Sequence, residues 1–367
     1  MLGFIAVFMA AKLWLLWVAF REGAAWGAGC LVCFPLVGLL FLVCHPEKAW
    51  KPFVSNVVMI GLMIGWIVMT PDGWPPRRPA PQETQSLVEA RSGFQTKLTR
   101  PAFPGKPAPR PPAKLFRHVK YDSAVGQLSA YVTPDPKGGE KRPAIIWITG
   151  GDCNSIDEGC WREGPPNNDQ SASAFRKAGV VLMFPSLRGG NNNPGAKEGF
   201  FGEVDDVCAA ANFLAGQDHV DPRRIYLGGH STGGTLALLV AQYTDGFRAV
   251  FSFGPADDVS GYPPEFLPFN RSVPREVELR SPGRWLHSLL CPVFVFEGTS
   301  GGNVRALQAM ARASTVPDAH FFPVRGADHF SVLAPLTRLL AGKVLRDTGP
   351  ECGITVTEGE VNRLFAR

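Results

Sequence analysis

The segment RIYLGGHSTGGTLALLVA places a serine between an apolar run typical of a strand and an apolar run typical of a helix. Ser231 is flanked by Gly229 and Gly233, the spacing of a sharp strand-to-helix turn that lifts a serine hydroxyl above the edge of a sheet. The glycines let strand and helix approach without a Cβ clash. The helix that follows directs N–H groups and the positive end of its dipole toward a developing oxyanion. The pattern predicts that Ser231 is a nucleophile.

A second match to the glycine–serine–glycine pattern, residues 298–302 (GTSGG), also follows an apolar run. Chain order separates the two matches. After Ser231 come two more predicted strands and then a histidine. Fewer than thirty residues lie between Ser300 and the last candidate base, too few for another strand–helix–strand passage that carries an acid. Ser231 is therefore preferred.

The general base is expected on a loop after the last core strand, where it can return to the serine. His329, in FFPVRGADHFSV, follows an apolar strand and a glycine turn and is the histidine that fits this place. A neutral imidazole there takes the serine proton and returns it to the leaving group. His230 is fixed inside the turn beside the nucleophile and does not fit this role.

The residues after position 113 alternate between short apolar runs and helical patterns. Apolar runs such as AIIWITGG, VVLMFPS and PVFVFEG are interleaved with helical patterns such as EVDDVCAAANFLAGQ and VRALQAMARA. This alternation predicts an α/β fold, a mainly parallel sheet with helices on both faces, over residues 114–367. The preceding FRHVKYDSAVGQLSAYVTP predicts an antiparallel hairpin that opens the domain.

The first seventy residues contain three long apolar runs, residues 2–20, 24–44 and 53–69, each close to the length that spans a bilayer core. They predict a membrane anchor of two or three transmembrane helices over residues 1–70, with the lipid bilayer as a partner. The expected localisation is an integral protein of a bacterial inner membrane, and the basic residues favour a cytoplasmic domain. Residues 71–113 hold eleven prolines and predict a semi-rigid linker.

Charge and cysteine usage exclude several classes of function. The net charge of +5 comes from residues 1–113, because residues 114–367 carry 26 basic and 27 acidic side chains. A nucleic-acid partner is therefore not expected. Paired CxxC motifs are absent from the sequence, so no metal site is expected, and no cofactor is implied. Cys153 and Cys160 lie in one loop and can form a disulfide in an oxidising compartment.

Residues 145–335 resemble the α/β-hydrolase superfamily, most closely the catalytic domains of prolyl oligopeptidase-like serine peptidases and related esterases. The resemblance rests on ITGG, FPSLRGGNNNPG, GEVDDVCAAANFL, VDPRRIYLGGHSTGG, RSPGRWLHSLLCPVFVFEGT and GADHFSV in the family's order. It implies a triad containing Ser231 and His329, acting through an acyl-enzyme. It also implies an oxyanion hole formed by the backbone N–H of Thr232 and one from the Gly150–Asp152 turn, taken as that of Gly151. Arg188 and Asp206 are expected to be structural.

The sequence departs from the family where the triad acid is expected. The third residue after Gly298 is Gly301 rather than an aspartate. Glu297, at the end of the same strand, is the nearest replacement. Asp257 and Asp258, after the preceding strand, are the alternative acids. Asn303 offers orientation without charge.

The sequence therefore predicts a membrane-anchored serine hydrolase that cleaves ester or amide bonds of small-molecule, lipid or peptide substrates. The alternative is a catalytically weak hydrolase fold, lacking a proper triad acid, that serves in binding or scaffolding. The β-propeller of the large oligopeptidases has no counterpart between the predicted anchor and the hydrolase, so an open active site is expected. The segment Ser260–Leu290 contains several aromatic residues and is a candidate cap over the acyl pocket.

Overall fold

The computed structural model describes residues 85–102 and 105–366, together with residues 13–14, 16–21, 23, 36–48, 50–51 and 54 near the N-terminus. The chain divides into two compact units, Met1–Ala80 and Pro81–Arg367. Every candidate site residue belongs to the second unit.

The described part of the first unit corrects the predicted localisation. Most residues of the three predicted spans lie outside the described residues. Helix α1, Leu36–Cys44, has nine residues and is about 14 Å long, about half the hydrocarbon thickness of a bilayer. Among the residues that the structure describes, no helix has both the length and the hydropathy of a membrane span. This finding contradicts the predicted integral membrane protein, and neither the transmembrane helices nor the bilayer partner is supported.

The second unit is built on one eight-stranded sheet whose spatial order is β1-β2-β4-β3-β5-β6-β7-β8. The first two strands form the predicted antiparallel hairpin, β2 pairs antiparallel with β4, and the remaining pairs are parallel. The strands are β1 Arg117–Ser123, β2 Gly126–Val132, β3 Arg142–Ile148, β4 Val181–Pro185, β5 Val220–His230, β6 Val250–Phe253, β7 Val293–Gly298 and β8 Ala319–Val324.

Helices cover both faces of this sheet, as the alternating pattern predicts. One face packs against α4 Glu203–Ala215, α5 Thr232–Ala241 and α7 Val304–Ala313. The other packs against α3 Ser173–Lys177, α8 Leu333–Arg346 and α9 Glu358–Phe365. Strands covered on both faces read as unbroken apolar runs, and every residue of β4, β6 and β7 is buried. The predicted α/β class with a mainly parallel sheet is confirmed.

Residues 85–102 and 105–116, which precede the hairpin, belong to the second unit and pack on its other elements, where the composition predicts a linker over residues 71–113. Ser86 caps the short helix α2, Leu87–Arg91, through a capping box with Glu89. Leu87 is fully buried, and its N–H donates to Ser288 Oγ at 3.1 Å. We call residues 94–102 and 105–109 the strap, and residues 260–290 the cap, which includes helix α6, Pro274–Glu278.

Hydrogen bonds join the strap to the cap. Thr96 Oγ1 donates to Glu276 Oε2 at 2.9 Å, and the N–H of Lys97 donates to Glu276 Oε1 at 2.8 Å. The N–H of Thr99 donates to the carbonyl of Pro268 at 2.7 Å. Glu276 is buried, so these bonds satisfy a carboxylate that is removed from water.

Candidate active site

The nucleophile turn has the geometry that its glycines predict. Strand β5 ends at His230, helix α5 begins at Thr232, and Ser231 between them has φ 55° and ψ −115°. A positive φ is costly for a residue with a Cβ and is typical of strained functional positions. A Cβ at Gly229 would lie 2.4 Å from the carbonyl oxygen of Gly233, so strand and helix touch there through backbone alone.

A buried glutamate holds the candidate base. His329 Nδ1 lies 2.9 Å from Glu297 Oε1 and 3.1 Å from Oε2. Glu297 is fully buried at the end of β7 and also accepts the N–H of Asn303 at 2.9 Å. A carboxylate in this position fixes the tautomer of the imidazole, with the proton on Nδ1 and the lone pair on Nε2.

Gly302 makes room for the Glu297 carboxylate. The family pattern instead expects an aspartate three residues after Gly298. The φ of Gly302 is +65°, and a Cβ built on it would lie 2.1 Å from Glu297 Oε1. The space next to His329 is therefore filled by the longer side chain arriving from the strand end. Position 301 thus has no carboxylate, and the glycine at position 302 leaves the space that the Glu297 carboxylate occupies.

Ser231 and His329 lie at the same edge of the sheet, on either side of the residues that end β6. The N–H of Ser231 donates to the carbonyl of Phe253 at 2.7 Å. A Cβ on the next residue, Gly254, would lie 2.4 Å from His329 Cε1 and 2.5 Å from Glu297 Oε2. Gly254 thus leaves open the space in which the imidazole and its carboxylate meet.

The two expected oxyanion residues are in direct contact. Thr232 is the first residue of α5, and its hydroxyl donates to the carbonyl of Gly151 at 3.0 Å. Gly151 has φ +74°, in the region that favours glycine, and it follows the end of β3 on the turn beside Ser231. A Cβ on its neighbour Gly150 would lie 3.2 Å from Ser231 Cβ.

One segment of the chain matches a known protein family. Residues 166–276 match the prolyl oligopeptidase family. The matched segment contains Ser231 and ends before Glu297 and His329. The match spans 111 of the 367 residues and agrees with the resemblance to prolyl oligopeptidase-like enzymes that the sequence motifs indicate. No curated protein is significantly similar to the chain.

Solved structures share the fold at low sequence identity. A puromycin-hydrolyzing peptidase from Mycobacterium tuberculosis has a TM-score of 0.51 and 22% identity, covering 63% of this chain and 39% of that one. A puromycin hydrolase has a TM-score of 0.52 and 16% identity, covering 65% and 40%. The acylaminoacyl peptidase of Pyrococcus horikoshii has a TM-score of 0.50 and 14% identity, covering 67% and 43%. The chain therefore spans about two-fifths of the length of these structures, and the likeness establishes the α/β-hydrolase fold.

The two alternative acids of the candidate site make other contacts. Asp258 caps a short turn by accepting from the N–H and hydroxyl of Ser260, and its second oxygen accepts from Arg284 at 3.1 Å. The carbonyl of Asp257 accepts the N–H of Gly283 at 2.9 Å. The structure brings Glu297, not either aspartate, to His329. Asn303 contacts Glu297 and the carbonyl of Gly254.

His230, set aside in the sequence analysis, contacts the candidate base directly. His230 Nε2 lies 2.9 Å from the carbonyl oxygen of His329, and the two ring centroids are 4.5 Å apart. Because the carbonyl only accepts, the neutral ring carries its proton on Nε2. Nδ1 lies 3.0 Å from Gln170 Oε1, and it accepts a hydrogen bond there when the Gln170 amide is turned to present its NH₂ group. Burial, with the adjacent His329 as a second cause, lowers the pKa of His230 from 6.5 to about 3. The sequence signal for this contact is the position of His230, directly before Ser231 in the glycine–serine–glycine motif.

Arg188 and Asp206 are structural, as the resemblance implies. Their side chains form a buried bidentate ion pair at 2.9 and 3.0 Å. The carbonyl of Arg188 accepts from Asn154 Nδ2, which also donates to the buried Glu203 at 3.1 Å. Burial raises the pKa of that glutamate. These contacts hold the loop that continues from the Gly151 turn.

The predicted disulfide does not form. Cys153 and Cys160 are both buried free thiols, and burial raises the pKa of each; that of Cys160 rises to about 12. Ser300, in the second match to the glycine–serine–glycine pattern, is exposed on a turn, where its N–H donates to the carbonyl of Ala327. Within the described residues, no group of three or more His, Cys, Asp and Glu side chains has the arrangement of a metal site.

A cavity of about 820 Å³ opens beside the candidate oxyanion residues. Its walls come from five parts of the second unit: the turn after β3, the loop after β4, the start of α5, the cap and the strap. The strap and the cap therefore cover a site that the sequence predicts to be more open. Its lining includes Gly151, Thr232, Phe200, Tyr262, Phe266 and Pro107.

Proposed function

We propose that the protein is a serine hydrolase of the prolyl oligopeptidase type that cleaves ester or amide bonds, including those of peptides, through an acyl-enzyme on Ser231. The observation that carries the proposal is the buried Glu297–His329 pair, set at the same sheet edge as the strained Ser231. The family match over residues 166–276 supports it.

In the first half of the reaction His329 acts as general base. Nε2 takes the proton of the Ser231 hydroxyl as its oxygen attacks the carbonyl carbon of the substrate. The imidazolium that forms is stabilised by Glu297, which keeps its charge and accepts from Nδ1. The negative charge on the substrate oxygen is stabilised by the backbone N–H groups of Thr232 and Gly151, each worth about 3–4 kcal/mol in such sites.

Collapse of the tetrahedral intermediate then breaks the bond to the leaving group. His329 gives its Nε2 proton to the departing oxygen or nitrogen, leaving an ester between the acyl group and Ser231. A water molecule repeats the cycle with His329 again as base, which releases the acid and restores the serine hydroxyl.

A fluorophosphonate probe tests the proposal, because it modifies a serine only when the serine is activated. We expect stoichiometric labelling of the full chain at Ser231, and loss of labelling in Ser231→Ala. Ser300→Ala is the matched control, since that serine lies in the second match to the glycine–serine–glycine pattern, and it should label like the wild type. A folded wild-type protein that never labels would contradict the proposal.

The alternative of a catalytically weak scaffolding protein rested on the glycine at the expected acid position. Glu297 supplies a carboxylate to His329 from another position. That contact supports the hydrolase proposal rather than the alternative.

A further inference from the structure

We propose that the strap forms the outer wall of an acyl pocket that selects bulky, uncharged, apolar acyl groups; this inference rests on the proposed hydrolase function. The wall comes from residues that precede the sheet. Strap residues that line the 820 Å³ cavity are Arg100, Pro101, Gly105, Lys106, Pro107 and Pro109.

The position of the cavity determines which half of the substrate enters it. The leaving group must take its proton from His329, so it lies on the histidine side of the scissile bond. The carbonyl oxygen points at the N–H groups of Thr232 and Gly151. Both of these residues line the cavity, whereas His329 does not. The acyl substituent is therefore the part of the substrate that the cavity receives.

The lining favours an apolar group. Proline rings of the strap face a cavity whose other walls include Ile156, Phe200 and Phe266. The lining holds six charged residues, and four of them are already engaged: Lys197 Nζ lies 2.6 Å from Asp152 Oδ1, Arg100 donates to backbone carbonyls of the cap, and Asp157 Oδ1 accepts the N–H of Gly159. The other two, Lys106 and Glu265, carry opposite charges. A pocket lined in this way gains by burying apolar surface and offers little to a charged acyl group.

Both described parts of the strap, residues 94–102 and 105–109, are hydrogen-bonded to other elements of the second unit. At one end Thr96 and Lys97 donate to Glu276, and the Arg100 guanidinium donates to the carbonyls of Pro264, at 3.0 Å, and Glu265. At the other end the carbonyl of Pro109 accepts from the hydroxyl of Tyr131 on β2 at 2.5 Å.

Gly105 brings the strap into backbone contact with the loop after β4. A Cβ on Gly105 would lie 2.0 Å from the carbonyl oxygen of Asn191 and 2.8 Å from its carbonyl carbon. Backbone atoms cannot move aside like the end of a flexible side chain. Gly105→Ala must therefore shift the strap outward and widen the pocket, whereas Pro107→Ser removes apolar lining without that clash.

The test measures kcat/KM of the full chain with p-nitrophenyl 3-phenylpropionate and p-nitrophenyl acetate, which share a leaving group and differ in the acyl group. We expect the wild type to favour the phenylpropionate by about a hundredfold. Gly105→Ala should lower this ratio about tenfold, and Pro107→Ser about fivefold, because each loses buried apolar contact.

Two matched controls isolate the wall. Gly138→Ala places a methyl group where nothing lies within 4 Å, and Pro112→Ser changes an exposed proline outside the cavity lining. Both should keep the wild-type ratio. A wild type that favours acetate, or a ratio unchanged in both strap variants, would overturn the strap inference while ester hydrolysis still supports the proposed function. Absence of ester hydrolysis and of fluorophosphonate labelling would overturn both.

Discussion

At the scale of single residues, the site depends on which carboxylate reaches His329. Glu297 lies at the end of β7, and Asp257 and Asp258 follow β6; both strands end at the same edge of the sheet, and the order of the three acids in the chain does not distinguish them. Distance does, because both oxygens of Glu297 lie within 3.1 Å of Nδ1. The aspartate contacts, in contrast, tie the cap together.

We predict that Glu297→Gln lowers kcat by about 10³- to 10⁴-fold, since an amide neither balances the imidazolium nor fixes the correct tautomer. The melting temperature should change little, because glutamine fills the same space and still accepts the N–H of Asn303. Asp258→Asn is the matched control and should retain activity within a few fold. Steady-state kinetics with p-nitrophenyl acetate check both variants, and a slow Asp258→Asn beside a wild-type-like Glu297→Gln would reassign the acid.

His230 gives a prediction about acid stability. Its folded pKa of about 3 lies below the ordinary 6.5, so the unfolded chain binds a proton that the folded chain refuses in this interval. The free energy of unfolding should therefore fall as pH is lowered from about 6.5 to about 3. His230→Gln should reduce that slope, whereas His287→Gln, at an exposed histidine, should keep it. Urea unfolding followed by circular dichroism at several pH values measures the slope, and equal slopes in all three proteins would contradict the assignment.

At the scale of elements, the loop after β7 is shaped around the acid. Gly301 and Gly302 both have positive φ, at +104° and +65°, but only Gly302 faces the Glu297 carboxylate. The turn therefore reverses the backbone and also leaves space for the side chain of Glu297.

We predict that Gly302→Ala lowers kcat about 100-fold, because its Cβ displaces Glu297 and a misplacement of this size is costly to catalysis. Gly301→Ala is the matched control: it carries similar backbone strain of about 1–2 kcal/mol, yet nothing lies within 4 Å of its Cβ. The two variants should lose comparable stability in thermal unfolding and differ in kcat. Equal activity in the two would show that the carboxylate has room to move.

At the scale of the whole molecule, the compact unit that holds the candidate site begins at Pro81, within the region that the composition predicts to be a linker. Eleven prolines in residues 71–113 predict an extended linker, but much of this region packs on the cap and the sheet. Proline-rich backbone without periodicity still becomes ordered when it finds buried partners such as Glu276 and Ser288.

We predict that residues 81–367 fold cooperatively with the melting temperature of the second unit in the full chain. A fragment of residues 114–367 should lose at least about 3 kcal/mol of stability, because it gives up the buried Leu87 and leaves Glu276 without its bonds to the strap. Urea unfolding of both fragments measures the difference. Equal stability would restore the linker interpretation.

The sequence predicts local structure well and predicts contacts between distant residues poorly. Strand–helix alternation predicts the sheet, and the glycines around Ser231 predict the turn, because both depend on neighbouring residues. The contacts between Thr96 and Glu276 join residues 180 positions apart and leave no local pattern. Long apolar runs near the N-terminus predict membrane spans by length and hydropathy alone, and the structure does not support that reading.

The tie between Thr96 and Glu276 also orders events during synthesis. The strap leaves the ribosome early, but the glutamate that anchors it is made 180 residues later, and His329 later still. A nascent chain cannot close the pocket or assemble the catalytic groups until nearly all of the second unit has been translated. The proposed hydrolytic activity should therefore appear abruptly, once His329 and the rest of the second unit have left the ribosome.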